Sequence, residues 1–186
     1  MEFVNMQPLE HLAQEHRLIA KAVPITKSFR DEIESEGPIR PRRYWWLIDF
    51  WSTYADIVHH TKEEQFLFPV IVELGGPMEF GETIDKLVEE HMYLLAYIAE
   101  LRRFARPMFT GDPSARERVI SCLDKYTDLI EPHIKLEDTK LFPEANQLLS
   151  KAEMDELAKE FKAIDTRTGT QVQSYYGSLL DKLKEK

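Results

Sequence analysis

Hydrophobic residues recur every three or four positions along most of this chain, which is the spacing that buries one face of an α-helix. Glycine and proline are scarce, and they cluster in three breaks, at 37–41, 75–77 and 107–113. Four long segments of helical period lie between the breaks, at about 8–34, 41–74, 81–106 and 113–148. Alternation at period two never persists, so the pattern predicts helices and no sheet.

Four long helices with short connections pack most simply as an up-down-up-down four-helix bundle. Asp112 and Pro113 support the start of the fourth helix, as an N-cap followed by proline at the first helical position. The 186 residues fit one domain, 1–186, with its bundle core at about 8–148. The expected fold class is therefore all-α.

An additional C-terminal helix is expected over about 150–186, packed as an extension of the bundle. Ser150 and Glu153 have the spacing of a capping box at its start. Seven apolar residues then fall near one face of this helix: Met154, Leu157, Phe161, Ile164, Tyr175, Leu179 and Leu183. The Thr-Gly-Thr at 168–170 weakens the helix in its middle, because glycine is a poor helix former.

The composition argues against several classes of protein. With a net charge of −9, the chain is a poor partner for nucleic acid or for an anionic membrane surface. The single cysteine, Cys122, excludes an internal disulfide framework and a thiolate-rich metal site. Apolar runs are too short to span a membrane, and the N-terminal stretch lacks the features of a signal peptide. We therefore expect a cytoplasmic protein.

Two stretches of the chain repeat one another. HHTKEEQFLFP begins at His59 and HIKLEDTKLFP begins at His133, 74 positions later, with histidine, an acidic pair and Leu-Phe-Pro at the same offsets. His16 and His91 each follow a glutamate, and they lie 75 positions apart. The chain therefore contains two similar helix pairs, which would be related by a pseudo-twofold axis when packed antiparallel.

The repeat predicts a metal site on that axis, because a histidine and a glutamate four residues apart share one helix face. Six candidate ligands would converge there: His16, His59, Glu63, His91, His133 and Glu137. Each lies within an apolar stripe, and burying four imidazoles and two carboxylates without a partner would be costly. Such ligands, without thiolate, suit iron, manganese or zinc, and their number suits two ions bridged by the carboxylates.

Neighbouring residues offer an alternative register, because His60 and Glu64 are also four positions apart. The second copy carries Ile134 where His60 stands in the first, and isoleucine cannot bind metal. The register that both copies share is His59 with Glu63. We therefore expect His60 beside the site or exposed, and keep it as an alternative ligand together with Glu64.

Other polar residues near the repeat are expected at the surface. Lys62 and Glu64 would face away from the site as part of a solvated charge run. His11 would be exposed, since Lys86 stands at the matching position of the second copy. The two Leu-Phe-Pro sequences would form an apolar floor of the site.

The ordered histidines and acids resemble the hemerythrin-like family, the HHE cation-binding domain. The family pattern is a lone histidine, His-x-x-x-Glu, a third histidine and a final histidine followed by an acid. The match spans roughly residues 8–147, and EEQFLFP also looks like that family. The resemblance implies a four-helix bundle with two iron ions, joined by an oxo or hydroxo bridge and by two carboxylates. One iron would keep an open position for dioxygen or another small ligand.

Two departures from the family pattern change what is expected. The oxygen carriers have a further histidine one turn before the third one, where this chain has Leu87. An extra open or water-filled position on one iron would follow, which disfavours reversible oxygen carriage and favours redox chemistry, sensing or iron handling. The carriers also place their last acid at the position of Asp138. The internal repeat points instead to Glu137, and Asp138 stays the alternative.

The expected function is the binding or reduction of dioxygen, nitric oxide or peroxide by a di-iron centre, in oxygen or redox sensing or in a stress response. No separate catalytic side chain is expected. The alternative is a non-enzymatic module for iron or metal binding, storage or sensing, acting through a protein partner or as a homo-oligomer. The C-terminal helix and the aromatic-rich start of the second segment could serve such contacts.

Overall fold

The computed structural model describes residues 7–35, 40–75, 78–169 and 171–185, apart from the side chains of 78 and 79. These residues form six helices: α1 (Pro8–Glu34), α2 (41–73), α3 (Met78–Phe109), α4 (113–148), α5 (Lys151–Thr168) and α6 (Val172–Lys184). No strand occurs within the described ranges, so the all-α prediction is confirmed. The predicted breaks at 37–41 and 75–77, Thr170 and the N-terminal stretch lie wholly or partly outside them.

The first four helices pack as a bundle, as predicted. Helix α4 packs along both α1 and α3, and α2 contacts α1 and α3. The up-down-up-down order of these helices stays a prediction. The Asp112 carboxylate accepts hydrogen bonds from the backbone N–H groups of Ser114 and Ala115, which confirms the predicted cap of α4. None of the described helices is both long enough and apolar enough to cross a membrane.

The apolar core of the bundle is divided into two clusters. Leu12 and Leu87 belong to one cluster, and Ile19 and Leu94 belong to the other. The candidate histidines of α1 and α3 lie between these residues in the sequence, so a buried polar layer separates the two apolar clusters. The surrounding packing therefore holds the polar layer away from solvent.

The C-terminal extension is two helices rather than one. The predicted capping box of Ser150 and Glu153 is present at the start of α5. Helix α5 ends where Gly169 adopts a φ of 133°, a conformation that glycine reaches without strain. The break changes the register of the following residues, so Tyr176 is buried while Tyr175 is 58% exposed. The placement of Tyr175 on the apolar face was therefore wrong.

Wide helical turns occur at both copies of the repeated sequence. The Phe68 N–H donates to the carbonyl of Glu63 and the Phe142 N–H donates to that of Glu137, each across five residues as in a π-helix. A proline, Pro69 or Pro143, follows each phenylalanine and has no N–H to continue the regular ladder. The Leu-Phe-Pro sequences thus account for a local widening of α2 and α4 that begins at each carboxylate.

Candidate metal centre

Seven buried side chains of α1 to α4 meet in the polar layer and form two overlapping groups. One group comprises His16, His59, Glu63 and Glu137, and the other comprises His60, Glu63, His91 and His133. Within each group the potential ligand atoms lie within 4.8 Å of one another. Glu63 belongs to both groups, so the two groups share a carboxylate.

The histidines are arranged in two pairs that follow the sequence repeat. The Nε2 atoms of His16 and His59 lie 2.9 Å apart, and those of His91 and His133 lie 3.0 Å apart. Each pair joins the lone histidine of one helix to the repeat histidine of the next. The structure therefore brings together all four histidines that the sequence singled out.

A carboxylate holds the outer nitrogen of each paired histidine. The Nδ1 contacts are His16 with Asp138 (2.7 Å), His91 with Glu64 (2.7 Å), His59 with Glu15 (3.0 Å) and His133 with Glu90 (2.8 Å). Glu64 and Asp138 lie 74 positions apart and Glu15 and Glu90 lie 75 apart, so these partners repeat as well. A carboxylate that accepts from Nδ1–H leaves the Nε2 lone pair facing inwards, as in metal-binding histidines.

Both carboxylates of the layer, Glu63 and Glu137, face both histidine pairs. Glu63 Oε1 lies 3.5 Å from His59 Nε2, and its Oε2 lies 3.6 Å from His91 Nε2. Glu137 Oε2 lies 3.3 Å from the Nε2 atoms of both His16 and His133. Each carboxylate is thus placed between the two pairs, as a bridging ligand must be.

The inner face of the layer carries buried polar atoms without hydrogen-bond partners. All four carboxylate oxygens of Glu63 and Glu137 are in this state, and so are both ring nitrogens of His60. Buried polar atoms without partners are rare and costly, because they lose their hydration without compensation. Carboxylate oxygens and imidazole nitrogens are also the donors that iron, manganese and zinc accept, so these residues fit a bound cation.

The electrostatics of the layer also favour a cation. Burial and the charge of Glu137 raise the pKa of Glu63 well above its ordinary value. Burial opposes ionisation of Glu137 as well, but the neighbouring His133 and His16 outweigh it and lower the pKa of Glu137 to about 2. Two adjacent carboxylates therefore compete for ionisation, and a bound cation would stabilise both charges.

His60 is buried inside this layer rather than exposed. Its ring is 3% exposed and stacks on His91, with the ring centroids 3.8 Å apart. Burial and the nearby His91 lower the pKa of His60 well below its ordinary value, so the ring is neutral with a free lone pair. Of the two placements expected for His60, beside the site or exposed, the structure therefore shows the first. The spacing of His60 and Glu64 had kept it as an alternative ligand, whereas its unmatched place in the repeat, opposite Ile134, argued against it.

The two Leu-Phe-Pro sequences contribute phenylalanines that cover the histidines. Phe142 stacks on His16 at a centroid distance of 5.3 Å, and Phe68 stacks on His91 at 6.1 Å. Each phenylalanine comes from the opposite half of the repeat to the histidine that it covers. Both phenylalanines are buried, as expected for an apolar floor.

Lys62 is buried and His11 is mostly buried near the layer, where the sequence had predicted solvated side chains. Lys62 is 0% exposed, and its ammonium contacts Glu15, Asp165 Oδ1 at 2.6 Å and His11 Nε2 at 3.2 Å. His11, Glu15 and Asp165 form a third group with the spacing of metal ligands, but the ammonium already lies among them. Both surface predictions were wrong, because an internal cation compensates these buried carboxylates.

Glu64 and Asp138 lie outside the seven-residue layer. Both are partly exposed, and each accepts from the Nδ1 of a histidine rather than facing the inner atoms. Of the two acids that the sequence left open after His133, the structure places Glu137 in the layer and Asp138 at its edge.

The model of the hemerythrin HHE cation-binding domain matches residues 7–145 and, in a second overlapping match, residues 82–185. The chain belongs to the hemerythrin HHE cation-binding family. The second match starts within α3, the first helix of the second repeat. Searches of curated proteins and of solved structures returned no match. Membership of the family supports metal binding, typically of iron, by the buried histidine and glutamate groups.

Proposed function

We propose that this hemerythrin-like protein holds two iron ions and binds or reduces a small molecule such as dioxygen, nitric oxide or peroxide. The observation that carries the proposal is the position of Glu63, which belongs to both ligand groups. One carboxylate between two sets of histidines favours two neighbouring ions over a single one.

In this proposal the two ions have different protein ligands. His16 and His59 would hold one ion, and His60, His91 and His133 would hold the other, with Glu63 and Glu137 between them. His60 thereby supplies the fifth histidine that the oxygen carriers have at the position of Leu87. The pair of iron ions, when bound, supplies exchangeable electrons and a place for a small ligand. The side with two histidines has the fewer protein donors, so we assign the small ligand to that side.

The protein residues would keep the centre oriented and dry. The Nδ1 carboxylates keep each Nε2 atom directed inwards, which reduces the reorganisation needed for binding. Phe68 and Phe142 cover one histidine of each pair and limit the access of water. A small diatomic molecule or peroxide is therefore the class of ligand that this buried layer suits.

The test is the absorption spectrum of anaerobically iron-loaded protein before and after addition of dioxygen, nitric oxide or hydrogen peroxide. We expect two irons per chain and a spectrum that responds to at least one of these molecules. Zinc-loaded protein serves as the control, because zinc has no redox chemistry. An iron-loaded spectrum indifferent to all three would contradict the proposal. Stability that depends on metal without any such response would support the metal-sensing alternative.

A further inference from the structure

A chain of ionic contacts connects the C-terminal extension to one of the candidate ligands. Asp165 of α5 contacts the Lys62 ammonium at 2.6 Å, and Lys62 donates to Glu15 Oε1. The other oxygen of Glu15 accepts from His59 Nδ1 at 3.0 Å. Three contacts therefore lead from α5 to a histidine of the metal centre.

The central members of this chain are held in the protein interior. Lys62 and Glu15 are fully buried, and Asp165 is mostly buried. A buried charge is tolerated only when its partners lie in the right place, and removing one partner leaves the other uncompensated. Glu15 Oε1 also contacts His11 Nε2 at 3.1 Å, but Lys62 is the one lysine or arginine within salt-bridge distance of Glu15 among the described residues.

The sequence repeat provides an internal comparison for this arrangement. Glu90 occupies the place of Glu15 in the second half and accepts from His133 Nδ1 at 2.8 Å. Its lysine partner is Lys86 of the same helix, 3.5 Å away and 61% exposed. Leu136 stands at the position that matches Lys62. The contacts that start at His133 Nδ1 thus end at an exposed lysine. Those that start at His59 Nδ1 continue through the buried Lys62 ammonium to α5.

We propose that Lys62 is a positioning residue, held by Asp165, that fixes Glu15 against His59 and makes metal retention at the His16 and His59 side depend on α5. The ammonium takes the place that a third metal ion would occupy among His11, Glu15 and Asp165. The effect on metal retention rests on the proposed two-metal centre. The orientation of His59 does not, because it is a property of the metal-free protein as well.

The first experiment measures the orientation of His59 without metal. Long-range ¹H–¹⁵N NMR spectra of the full chain report which ring nitrogen of each histidine carries the proton. In Lys62→Met we expect the His59 Nδ1 signal to move, while the His133 signals stay in place. Lys86→Met is the matched control, since it removes the equivalent lysine behind His133, and it should leave His59 unchanged.

The second experiment measures the release of zinc from the fully loaded protein to a chelator. Loss of an outer partner of a metal-binding histidine weakens metal binding roughly 10- to 100-fold. We expect Lys62→Met to speed the release of one of the two ions by about this factor. Asp165→Asn should accelerate the same ion by a smaller factor, and Lys86→Met should leave that ion unaffected.

A charge-balanced variant covers the case in which Lys62→Met does not fold. Lys62→Met combined with Asp165→Asn removes one charge of each sign, and we expect it to show the same two changes. Unchanged His59 signals and unchanged zinc release in folded variants would overturn the proposal, even if their thermal stability fell. An equal response to Lys86→Met would also overturn it. Neither readout involves dioxygen, nitric oxide or peroxide, so failure here is distinguishable from failure of the proposed function.

Discussion

The two halves of the candidate metal centre are built from the same parts and differ in what surrounds them. Both have a close histidine pair, an Nδ1 carboxylate on each histidine and a stacked phenylalanine. Three pairs of matching positions differ in character: His60 and Ile134, Lys62 and Leu136, and His11 and Lys86. In each pair the first-half residue is a buried or mostly buried polar group of the structure.

The comparison teaches that duplication and function constrain different residues. The residues that orient the Nε2 atoms repeat, as expected if both halves need the same orientation to bind metal. The residues that add a donor or an internal charge occur once, so they make the two sides unequal. Unequal sides are what a centre needs if one ion is to stay saturated while the other meets a small ligand.

The strongest way to break the comparison is to remove the carboxylate that both halves share. Glu63→Gln keeps the shape of the side chain and loses its charge, so it should abolish binding of both ions. The measurement is iron per chain after anaerobic loading and desalting, which should fall from two towards zero. Glu117→Gln, an exposed acid of α4, is the control and should keep two. Retention of two irons by Glu63→Gln would contradict a bridging role.

Substitution of His60 tests metal binding on only one side of the centre, the side with three histidines. His60→Leu should weaken the ion held by His91 and His133 and leave the other in place, so iron per chain should fall towards one. Leucine is close in volume to the imidazole and resembles Ile134 of the second copy, so the fold should survive. If His60→Leu binds two irons as tightly as the unaltered chain, His60 is a packing residue.

The stability of the metal-free protein should depend on pH through both histidines of one pair, His16 and His59. Burial disfavours a charged His16, but Asp138 and Glu137 outweigh it and raise the pKa of His16 to about 9. Folding therefore retains a proton on His16, and this stabilisation is complete below pH 6.5 and lost as the pH rises to 9. The loss should be about 3 kcal/mol for this shift.

The pKa of His59, the partner of His16, is shifted in the opposite direction. Burial and the charge of His16 lower the pKa of His59 to about 4, so stability is lost as the pH falls from 6.5 to 4. Urea unfolding of the metal-free protein should therefore show a maximum near pH 6.5. Zinc-loaded protein should lose only the His16 part of the alkaline dependence, because the ion replaces the proton on His16. Burial opposes a charged His11, but Asp165 and Glu15 raise its pKa to about 9 as well, so the His11 part should remain. Equal metal-free stability at pH 6.5 and pH 9 would contradict the assignment.

The smallest expected effect is the difference in metal affinity between substitutions of Glu15 and of Glu90, the repeated glutamates that contact His59 and His133. Glu15→Gln removes a fully buried charge between His59 and Lys62, and it should weaken metal binding by roughly 10- to 100-fold. Glu90→Gln removes a less buried partner of His133, whose lysine is exposed to solvent, and the loss should be smaller. Competition with a zinc chelator measures both. A larger loss for Glu90→Gln would reverse the proposed ranking of the two sides.

The sequence was informative wherever a pattern recurs along the chain, either as helical periodicity or as the internal repeat. Helical period and the positions of glycine and proline predicted the four long helices to within a few residues. The repeat then identified six of the seven residues of the polar layer. His60 was kept only as an alternative, because its counterpart is Ile134. Tyr175 was misplaced because the break at Gly169 shifts the period, and helical spacing alone does not reveal a change of register.

Charged residues were the least predictable part of the chain. Lys62 lies in a stretch that reads as a solvated charge run, and its burial depends on Asp165, more than 100 positions away. Partners so distant in sequence leave no local pattern, and surface placement is the ordinary outcome for a lysine. Glu15 was passed over for the same reason, since it was noted only as the acid that precedes His16.

The wide turns that begin at Glu63 and Glu137 have a consequence for chain length. A π-turn is equivalent to one residue inserted into a regular helix. Deleting a single residue inside the turn, such as Gln65 or Thr139, would restore the regular spacing and leave the residues that follow in place. Phe68 and Phe142 would then still cover their histidines. The repeated segments should therefore accept the loss of one residue inside the wide turn and reject it in the regular part of the helix, where it rotates all that follows by about 100°.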